Sequence, residues 1–338
     1  MFEKVLITGG AGFIGNHLAE HSLRKEREVF ILDDLSRTGE NLKFLQENFR
    51  ENLTFVKGDT ADPKTFEKLP MDDIDLVYHC AAQVAVTTSL TNPRLDYDTN
   101  AYGTFNLCES LRKSSSDAPI VFCSTNKVYG DLELPVVLEG DRYAYRDIAG
   151  IDESYPLETN CPYGGSKIIA EFILDTYYHS FGLKSVKPRM SCIYGTRQFG
   201  TEDQGWIAWF AIATILGRPL TIYGDGNQVR DVLYITDQNE AFEALAENIG
   251  KTCGKAYNLG GGPQNTLSLA QLLVILEELT GKKSPLSYDD WRMGDQKVYV
   301  SDISKLKGEV GWEPKVTVRQ GIENFVSWAQ ENKSIFKF

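Results

Sequence analysis

Short apolar runs punctuate the first half of the chain: Val5 to Thr8, Val29 to Leu32, Leu53 to Val56, Leu76 to Tyr78 and Ile120 to Phe122. A polar or amphipathic stretch follows each one. Strand-length apolar runs that alternate with helix-like segments predict a doubly wound α/β arrangement, a parallel sheet with helices on both faces. The longest predicted helix falls on Pro162 to Phe181, where Ile168, Ile169, Phe172 and Ile173 supply apolar positions and Gly182 marks the stop. After about residue 190 the pattern changes, with loops such as Tyr194 to Gly205 and Tyr223 to Asn227 separating shorter helices. A second, smaller mixed α/β lobe is expected there.

At 338 residues the chain exceeds the usual single core, so one large domain with an appended lobe is expected. The boundaries implied are 1–190 and 191–338, with some of the later chain returning to the first domain. A net charge of −12 and a pI near 5.0 argue against the basic surface that a nucleic-acid partner needs. They leave room for a phosphate ligand, because local arginines and helix N-termini bind anions inside an acidic protein. The six cysteines are scattered, with no C-x-x-C spacing and no histidine pair nearby. They read as reduced thiols, and no metal site is expected. Met1 to Ile7 runs directly into a strand without signal-peptide features, and no apolar run approaches the roughly 20 residues of a membrane span. A cytoplasmic protein without a membrane partner is expected.

Gly9, Gly12 and Gly15 are spaced G-x-x-G-x-x-G between the first strand and an apolar helix start at Phe13, Ile14 and Leu18. Missing side chains at those places let backbone amides approach a pyrophosphate, as in a dinucleotide-binding Rossmann fold. Asp33 closes the second strand 18 residues after Gly15. An acid at that distance hydrogen-bonds the adenine ribose 2′-hydroxyl and repels a 2′-phosphate, which favours NAD over NADP. Asp34 shares the same turn. Asp59, followed by Thr60, ends the third strand, where it either accepts from the adenine amine or serves as an ordinary turn acid. The fourth run ends in His79-Cys80-Ala81-Ala82-Gln83, whose small Ala81 and Ala82 let a cofactor lie across the sheet edge. His79 reads as a hydrogen-bonded packing residue rather than a base.

Tyr163 stands four residues before Lys167, which puts both side chains on one face of the predicted helix. An ammonium near a phenol favours the phenolate, so the tyrosine pKa is expected below its ordinary value of about 10. A phenolate can take the proton of an alcohol while a nicotinamide takes the hydride. The strand end at Ser124-Thr125 offers an anchor for the reacting hydroxyl, with Thr125 preferred and Ser124 as the alternative. Behind a dinucleotide turn, this combination points to hydride chemistry on a sugar hydroxyl.

T-G-G-A-G-F-I-G at 8–15, H-C-A-A at 79–82, the Ser124-Thr125 strand end, Tyr163 with Lys167, and Gly224-Asp225-Gly226 followed by Gln228-Val229-Arg230-Asp231 resemble the extended short-chain dehydrogenase/reductase family acting on nucleotide sugars. The resemblance covers nearly the whole chain. Within that family, Ala82 to Ser89, Ser124 to Asp131, Gly195 to Trp206 and the insertion between Gly130 and Tyr163 are similar to the CDP-tyvelose 2-epimerase (CDP-paratose 2-epimerase) subfamily. That subfamily has glycine where this chain has Thr196 and alanine where it has Gly200, departures that bear on the sugar pocket.

The resemblance implies NAD as cofactor, bordered by Phe13, Ile14, Thr60, Ala81, Ala82, Asn100, Tyr163 and Lys167 beside the glycine turn. It implies a nucleotide-diphosphate sugar as substrate, with Arg230 and Arg292 gripping the diphosphate, since a guanidinium matches phosphate oxygens two at a time. Asp295 binds the nucleotide ribose or orients Arg292 in this reading, and Asn126, Arg197 and Gln198 meet the sugar. A homo-oligomer, dimer or tetramer, paired through helices flanking the dyad, is also implied, and Ile169, Phe172 and Ile173 suit that contact. Trp206 and Trp209 are expected in helix packing or a subunit contact, and Trp312 and Trp328 in the core.

The sugar-nucleotide 4,6-dehydratases of this family have a strand end resembling S-T-D-E-V-Y-G. Eliminating water needs one group to protonate the leaving hydroxyl and another to remove a carbon-bound proton, which that Asp and Glu supply. Asn126 and Lys127 occupy those places here. An amide is no proton donor, and a lysine with a pKa of about 10.4 is a poor base near neutrality. The expected reaction is therefore NAD-dependent epimerisation, CDP-paratose to CDP-tyvelose, through a transient 2-ketone with return of the same hydride. A UDP-sugar 4-epimerase using the same dyad is the alternative. A catalytically silent NAD-responsive binding protein is another, against which the intact dyad argues.

Overall fold

The five apolar runs form β1 (Lys4–Thr8), β2 (Glu28–Asp33), β3 (Leu53–Lys57), β4 (Leu76–His79) and β5 (Ile120–Phe122). In the computed structural model, which describes residues 2–292 and 294–336, they lie in one eight-stranded sheet. Its order is Ala256–Leu259, Ser185–Met190, β5, β4, β1, β2, β3, and the short strand β6 (Ser124–Thr125) pairs with Ser185–Met190. These pairings are all parallel, as the doubly wound expectation requires. Successive residues of β1 enter opposite cores. Val5 and Ile7 join Leu18, Val29, Ile31 and Leu245 on one face, while Leu6 joins Leu32, Phe66, Val77, Leu107 and Leu174 on the other.

From β1 the chain builds outward through β2 and β3, and then β4 and β5 are added on the other side. The winding direction reverses between β1 and β4, and a crevice at such a reversal is where open α/β sheets take ligands. Gly9, after β1, and Ala81, after β4, meet there. A Cβ on Gly9 would fall 2.6 Å from the Ala81 nitrogen, and its φ of +69° also favours glycine.

Beyond residue 190, Cys192–Tyr194 and Val229–Tyr234 pair in parallel, with Thr266–Ser268 antiparallel to the second of them. The helix Trp206–Leu216 is apolar almost throughout and is buried along most of its length, packing with Leu272, Leu276 and Phe325. The insertion after Gly130 contributes an antiparallel hairpin, Val136–Glu139 with Arg142–Tyr145, and Tyr145 packs against Val229 and Tyr299. Trp312 is buried and Trp328 packs partly buried against the second core. Among the described residues, no helix is long and apolar enough to cross a membrane.

Candidate active site

The glycine turn leads into helix α1 (Phe13–Leu23), whose N-cap Gly12 makes no side-chain hydrogen bond. The first amides of α1 are thus free of a side-chain cap, and the helix dipole favours an anion beside them. Gly15 is demanded by packing, since a Cβ there would fall 2.3 Å from the Gly9 carbonyl oxygen. Asp33 accepts from the Ala11 amide at 3.0 Å and the Leu35 amide at 2.8 Å, which fixes its carboxylate beside the turn. Burial raises its pKa, and those amides oppose the rise. Phe13 and Ile14 pack against the core of the second lobe. These residues fit a dinucleotide: an uncapped helix end for pyrophosphate and a fixed acid for a ribose hydroxyl.

Other candidates from the sequence are occupied locally. Asp34 accepts from the Ser36 amide at 2.8 Å and Asp59 from the Ala61 amide at 2.9 Å, both in exposed turns. Thr60 is buried against Gly103, where a Cβ would fall 2.6 Å from its hydroxyl. Ala81 donates its amide to Thr8 at 3.2 Å, and Ala82 follows it, half-buried, at the sheet edge. Asn100 exchanges bonds of 2.9 and 3.0 Å with the Gln83 backbone and donates to Ser166 at 2.9 Å. Its amide nitrogen is spent on tying the loop after β4 to the dyad helix. His79 is held between the hydroxyls of Thr8 at 2.6 Å and Thr104 at 3.0 Å, and burial pulls its pKa down to about 3. It is a packing residue, as the sequence suggested.

The dyad helix, Pro162–Phe181, starts with Pro162 in its first turn, where a missing N–H costs nothing. Tyr163 is 8% exposed and Lys167 1%. The Tyr163 hydroxyl lies beside the Thr125 side chain, which favours the phenolate. Lys167 turns elsewhere: its ammonium donates to the Cys123 carbonyl at 2.9 Å and sits 4.6 Å from the centre of the Phe122 ring. The expected acidification of the phenol is therefore absent from the protein alone. Burial raises the Tyr163 pKa above its ordinary value, and the neighbouring Thr125 hydroxyl opposes that rise without cancelling it. Burial also pulls Lys167 from 10.5 down to about 8.

Ser124 and Thr125 serve different ends, because neighbouring strand residues point to opposite sides. Ser124 donates to Glu171 at 2.5 Å. Glu171 pairs with Arg189 at 2.7 Å, and Arg189 donates to the Tyr129 hydroxyl at 3.0 Å. Ser124 belongs to this buried network, which corrects its standing as an alternative anchor. Asn126, also buried, accepts from the Thr125 hydroxyl at 3.4 Å.

A cleft of about 560 Å³ is lined by Val86 and Thr87 from the segment after β4, by Lys127, and by Trp206, Arg230 and Arg292. Arg230 pairs with Asp295 at 2.9 Å. The carboxylate expected to orient Arg292 thus holds the other arginine. Arg292 lies 3.7 Å from the centre of the Tyr223 ring and donates to the Glu202 carbonyl at 3.0 Å. Trp206 and Trp209, expected in helix packing or a subunit contact, do pack against the second core, and both also line the cleft, because the first turn of their helix faces it.

Arg197 and Gln198 are not among the cleft residues, contrary to expectation. Arg197 has a φ of +59°, and its guanidinium turns to α1, meeting Asn16 at 2.8 Å, His17 at 3.0 Å and the Glu20 carboxylate, with the Phe44 ring centre 4.1 Å away. The countercharge of partly buried Glu20 holds it there. Gln198 donates to the Ile193 carbonyl at 3.3 Å and packs under Gly205. Gly200 is pressed against the same helix start, where a Cβ would fall 2.5 Å from the Trp209 nitrogen. Lys127 is the cleft residue that sequence reasoning passed over. Its signal was a cation two positions after Thr125, weighed only as a base.

A dinucleotide crevice with a tyrosine and lysine on one buried helix beside it defines a protein of the short-chain dehydrogenase/reductase class. Residues 6–325 match the family described as GDP-mannose 4,6 dehydratase, and the chain belongs to this family of extended short-chain dehydrogenases/reductases. It is 39% identical to the CDP-paratose 2-epimerase of Salmonella typhi over 335 residues, covering 96% of this chain and 98% of that one. Among solved structures it is similar to the UDP-glucose 4-epimerase of Thermotoga maritima with UDP-glucose, with a TM-score of 0.84, 28% identity, and coverage of 98% of this chain and 99% of that one. It is also similar to the UDP-glucose 4-epimerase of Thermus thermophilus in complex with NAD, with a TM-score of 0.81, 33% identity, and coverage of 96% and 98%.

Proposed function

We propose that this protein is an NAD-dependent nucleotide-sugar epimerase that inverts C2 of a CDP-hexose, converting CDP-paratose to CDP-tyvelose. The observation that carries the reading is the placement of Tyr163 beside Thr125 at a dinucleotide crevice, with Asn126 and Lys127 where a dehydratase has its acid and base. The choice of C2 and of cytidine is supported by the 39% identity to a CDP-paratose 2-epimerase over almost the full length. The solved relatives with NAD and with UDP-glucose support the cofactor and the substrate class.

In this reading Gly9, Gly12, Gly15 and the start of α1 take the pyrophosphate, Asp33 the adenine ribose, and Lys167 the nicotinamide ribose. Bound there, NAD supplies the hydride acceptor, later the donor, and a positive charge in its oxidised ring. Thr125 orients the reacting hydroxyl. Tyr163 takes its proton at Oη and returns it to the same oxygen after the sugar has presented its other face. Arg230 and Arg292 hold the diphosphate throughout, so that the sugar turns about a fixed end. Ile169, Phe172, Tyr102 and Phe105 are exposed on the helices beside the dyad, and we assign them to contact with a second copy of the chain.

The test has two parts. The purified protein is denatured and its released nucleotide identified, and CDP-paratose is then supplied and the product followed by NMR. NAD release and inversion at C2 are expected. Conversion of UDP-hexoses at C4, with CDP-paratose untouched, would instead establish the 4-epimerase. Running the reaction in heavy water checks the route, since direct hydride return leaves no deuterium on the inverted carbon.

A further inference from the structure

Buried charges are ordinarily paired, because an isolated one costs too much to desolvate. Lys127, half-buried at the cleft, has no ion-pair partner among the described residues. Its ammonium lines the cleft and makes one hydrogen bond, to the Gly294 carbonyl at 3.1 Å, with no carboxylate as ion-pair partner. Asp295, next along that loop, is already held by Arg230 at 2.9 Å. Burial and then the charge of Arg230 depress the Lys127 pKa, and the nearby Asp295 carboxylate, itself paired with Arg230, opposes them without reversing the shift. In a chain of net charge −12, a cation left this way in a cleft is placed for an anion from outside. Its position along the chain is equally specific. The Lys127 amide donates to Thr125 Oγ1 at 3.2 Å, so the ammonium and the hydroxyl beside Tyr163 belong to one short turn.

We propose that Lys127 is a positioning residue that seats the sugar-proximal phosphate of the nucleotide sugar between Thr125 and Arg230. The proposal rests on the reading of the cleft as a nucleotide-sugar site. Its consequence is regiochemical. C2 is bonded to the carbon that carries the phosphate, whereas C4 lies across the ring. Anchoring that phosphate within a turn of Thr125 therefore brings C2 to the Thr125–Tyr163 pair.

The test measures binding of CDP and CMP by calorimetry to the wild-type protein, Lys127→Met and Lys127→Arg, with UDP and UMP in parallel. CMP lacks the sugar-proximal phosphate. Lys127→Met is expected to weaken diphosphate binding about ten- to hundredfold and to change monophosphate binding little, since a hydrogen bond to a charged group is at stake. Lys127→Arg is expected to restore most of the loss. Diphosphate binding unchanged in Lys127→Met, or a loss equal for CDP and CMP, overturns the proposal. If Lys127→Met does not unfold cooperatively, Lys127→Gln, which keeps a donor to Gly294, is measured in its place with the same two outcomes. Diphosphate selectivity that depends on Lys127 in a protein that leaves CDP-paratose unconverted keeps the phosphate seat and removes the 2-epimerase reading.

Discussion

Tyr163 and Lys167 share one buried face of a helix yet meet different partners: the phenol lies beside Thr125, and the ammonium donates to the Cys123 carbonyl at 2.9 Å. A spacing of four residues brings two side chains alongside without making them touch. The lysine charge is held on the strand side of the site, where a carbonyl and the Phe122 ring receive it and, among the described residues, no carboxylate forms an ion pair with it. The site is charged before any ligand arrives.

That charge has a pH-dependent cost. Burial lowers the Lys167 pKa from 10.5 to about 8. Below about 8 the folded and unfolded states both hold the proton, and the folded state bears the full cost. Between about 8 and 10.5 the unfolded chain binds more protons, so stability rises with pH, and above 10.5 the cost has gone. Lys167→Met, similar in length and uncharged, is expected to abolish turnover while raising the urea midpoint of the nucleotide-free protein at neutral pH. The gain should shrink as pH climbs toward 10.5. A midpoint below that of the wild type at neutral pH would mean that the Cys123 and Phe122 contacts outweigh the burial.

Ser124 and Thr125 are adjacent and should fail differently. Ser124→Ala removes a donor to a glutamate that keeps its Arg189 partner, so a stability loss of about 1 kcal/mol with near-normal turnover is expected. Thr125→Ala removes the hydroxyl beside Tyr163, and kcat should fall on the order of a hundredfold. Thr125→Ser, which keeps the hydroxyl, should recover most of it. Paired denaturation curves and steady-state rates decide the matter, and a larger rate loss in Ser124→Ala than in Thr125→Ala would reverse the assignment.

What the sequence discloses about this molecule depends on how local each feature is. The first five strands are legible because parallel strands buried on both faces, as β1, β4 and β5 are, read as continuous apolar runs, and the glycine turn because its function is fixed within seven residues. Arg197 was misplaced because its direction follows from a left-handed backbone and from Glu20, far off in the chain. Trp206 and Trp209 are packing residues as expected, but their second role at the cleft is not legible, since nothing in an apolar helix says which turn fronts a cleft. Lys127 was passed over for a different reason. Its interest lies in the absence of a countercharge, which appears only when every carboxylate has a place in space.

The three arginines of the substrate reading should separate by which ligand suffers. Arg197→Ala removes a brace between the loop after residue 194 and α1, the helix whose start faces the dinucleotide crevice. Easier loss of NAD during purification is expected, with KM for the nucleotide sugar nearly unchanged. Arg230→Ala and Arg292→Ala should raise that KM tenfold or more and leave NAD in place, because each removes a guanidinium from the cleft. A raised sugar KM in Arg197→Ala with NAD retained would return this residue to the sugar.

The phenol offers the most direct test of the chemistry. Tyr163 is buried and its pKa lies above the ordinary value of 10.0, so in nucleotide-free protein it should hold its proton throughout the neutral range. The ultraviolet difference titration of wild type minus Tyr163→Phe should therefore show no phenolate signal below about pH 10. A positive charge brought close to the phenol favours its ionised form. Saturation with NAD in its oxidised state is accordingly expected to move that signal to lower pH, and reduction of the nicotinamide, which removes the charge, to move it back. Tyr163→Phe keeps the ring in its packing and should retain NAD, while turnover falls about a hundred- to ten-thousandfold. Full turnover in that variant would exclude Tyr163 from proton transfer, and a phenolate signal indifferent to the redox state of the nicotinamide would exclude the electrostatic coupling proposed for it.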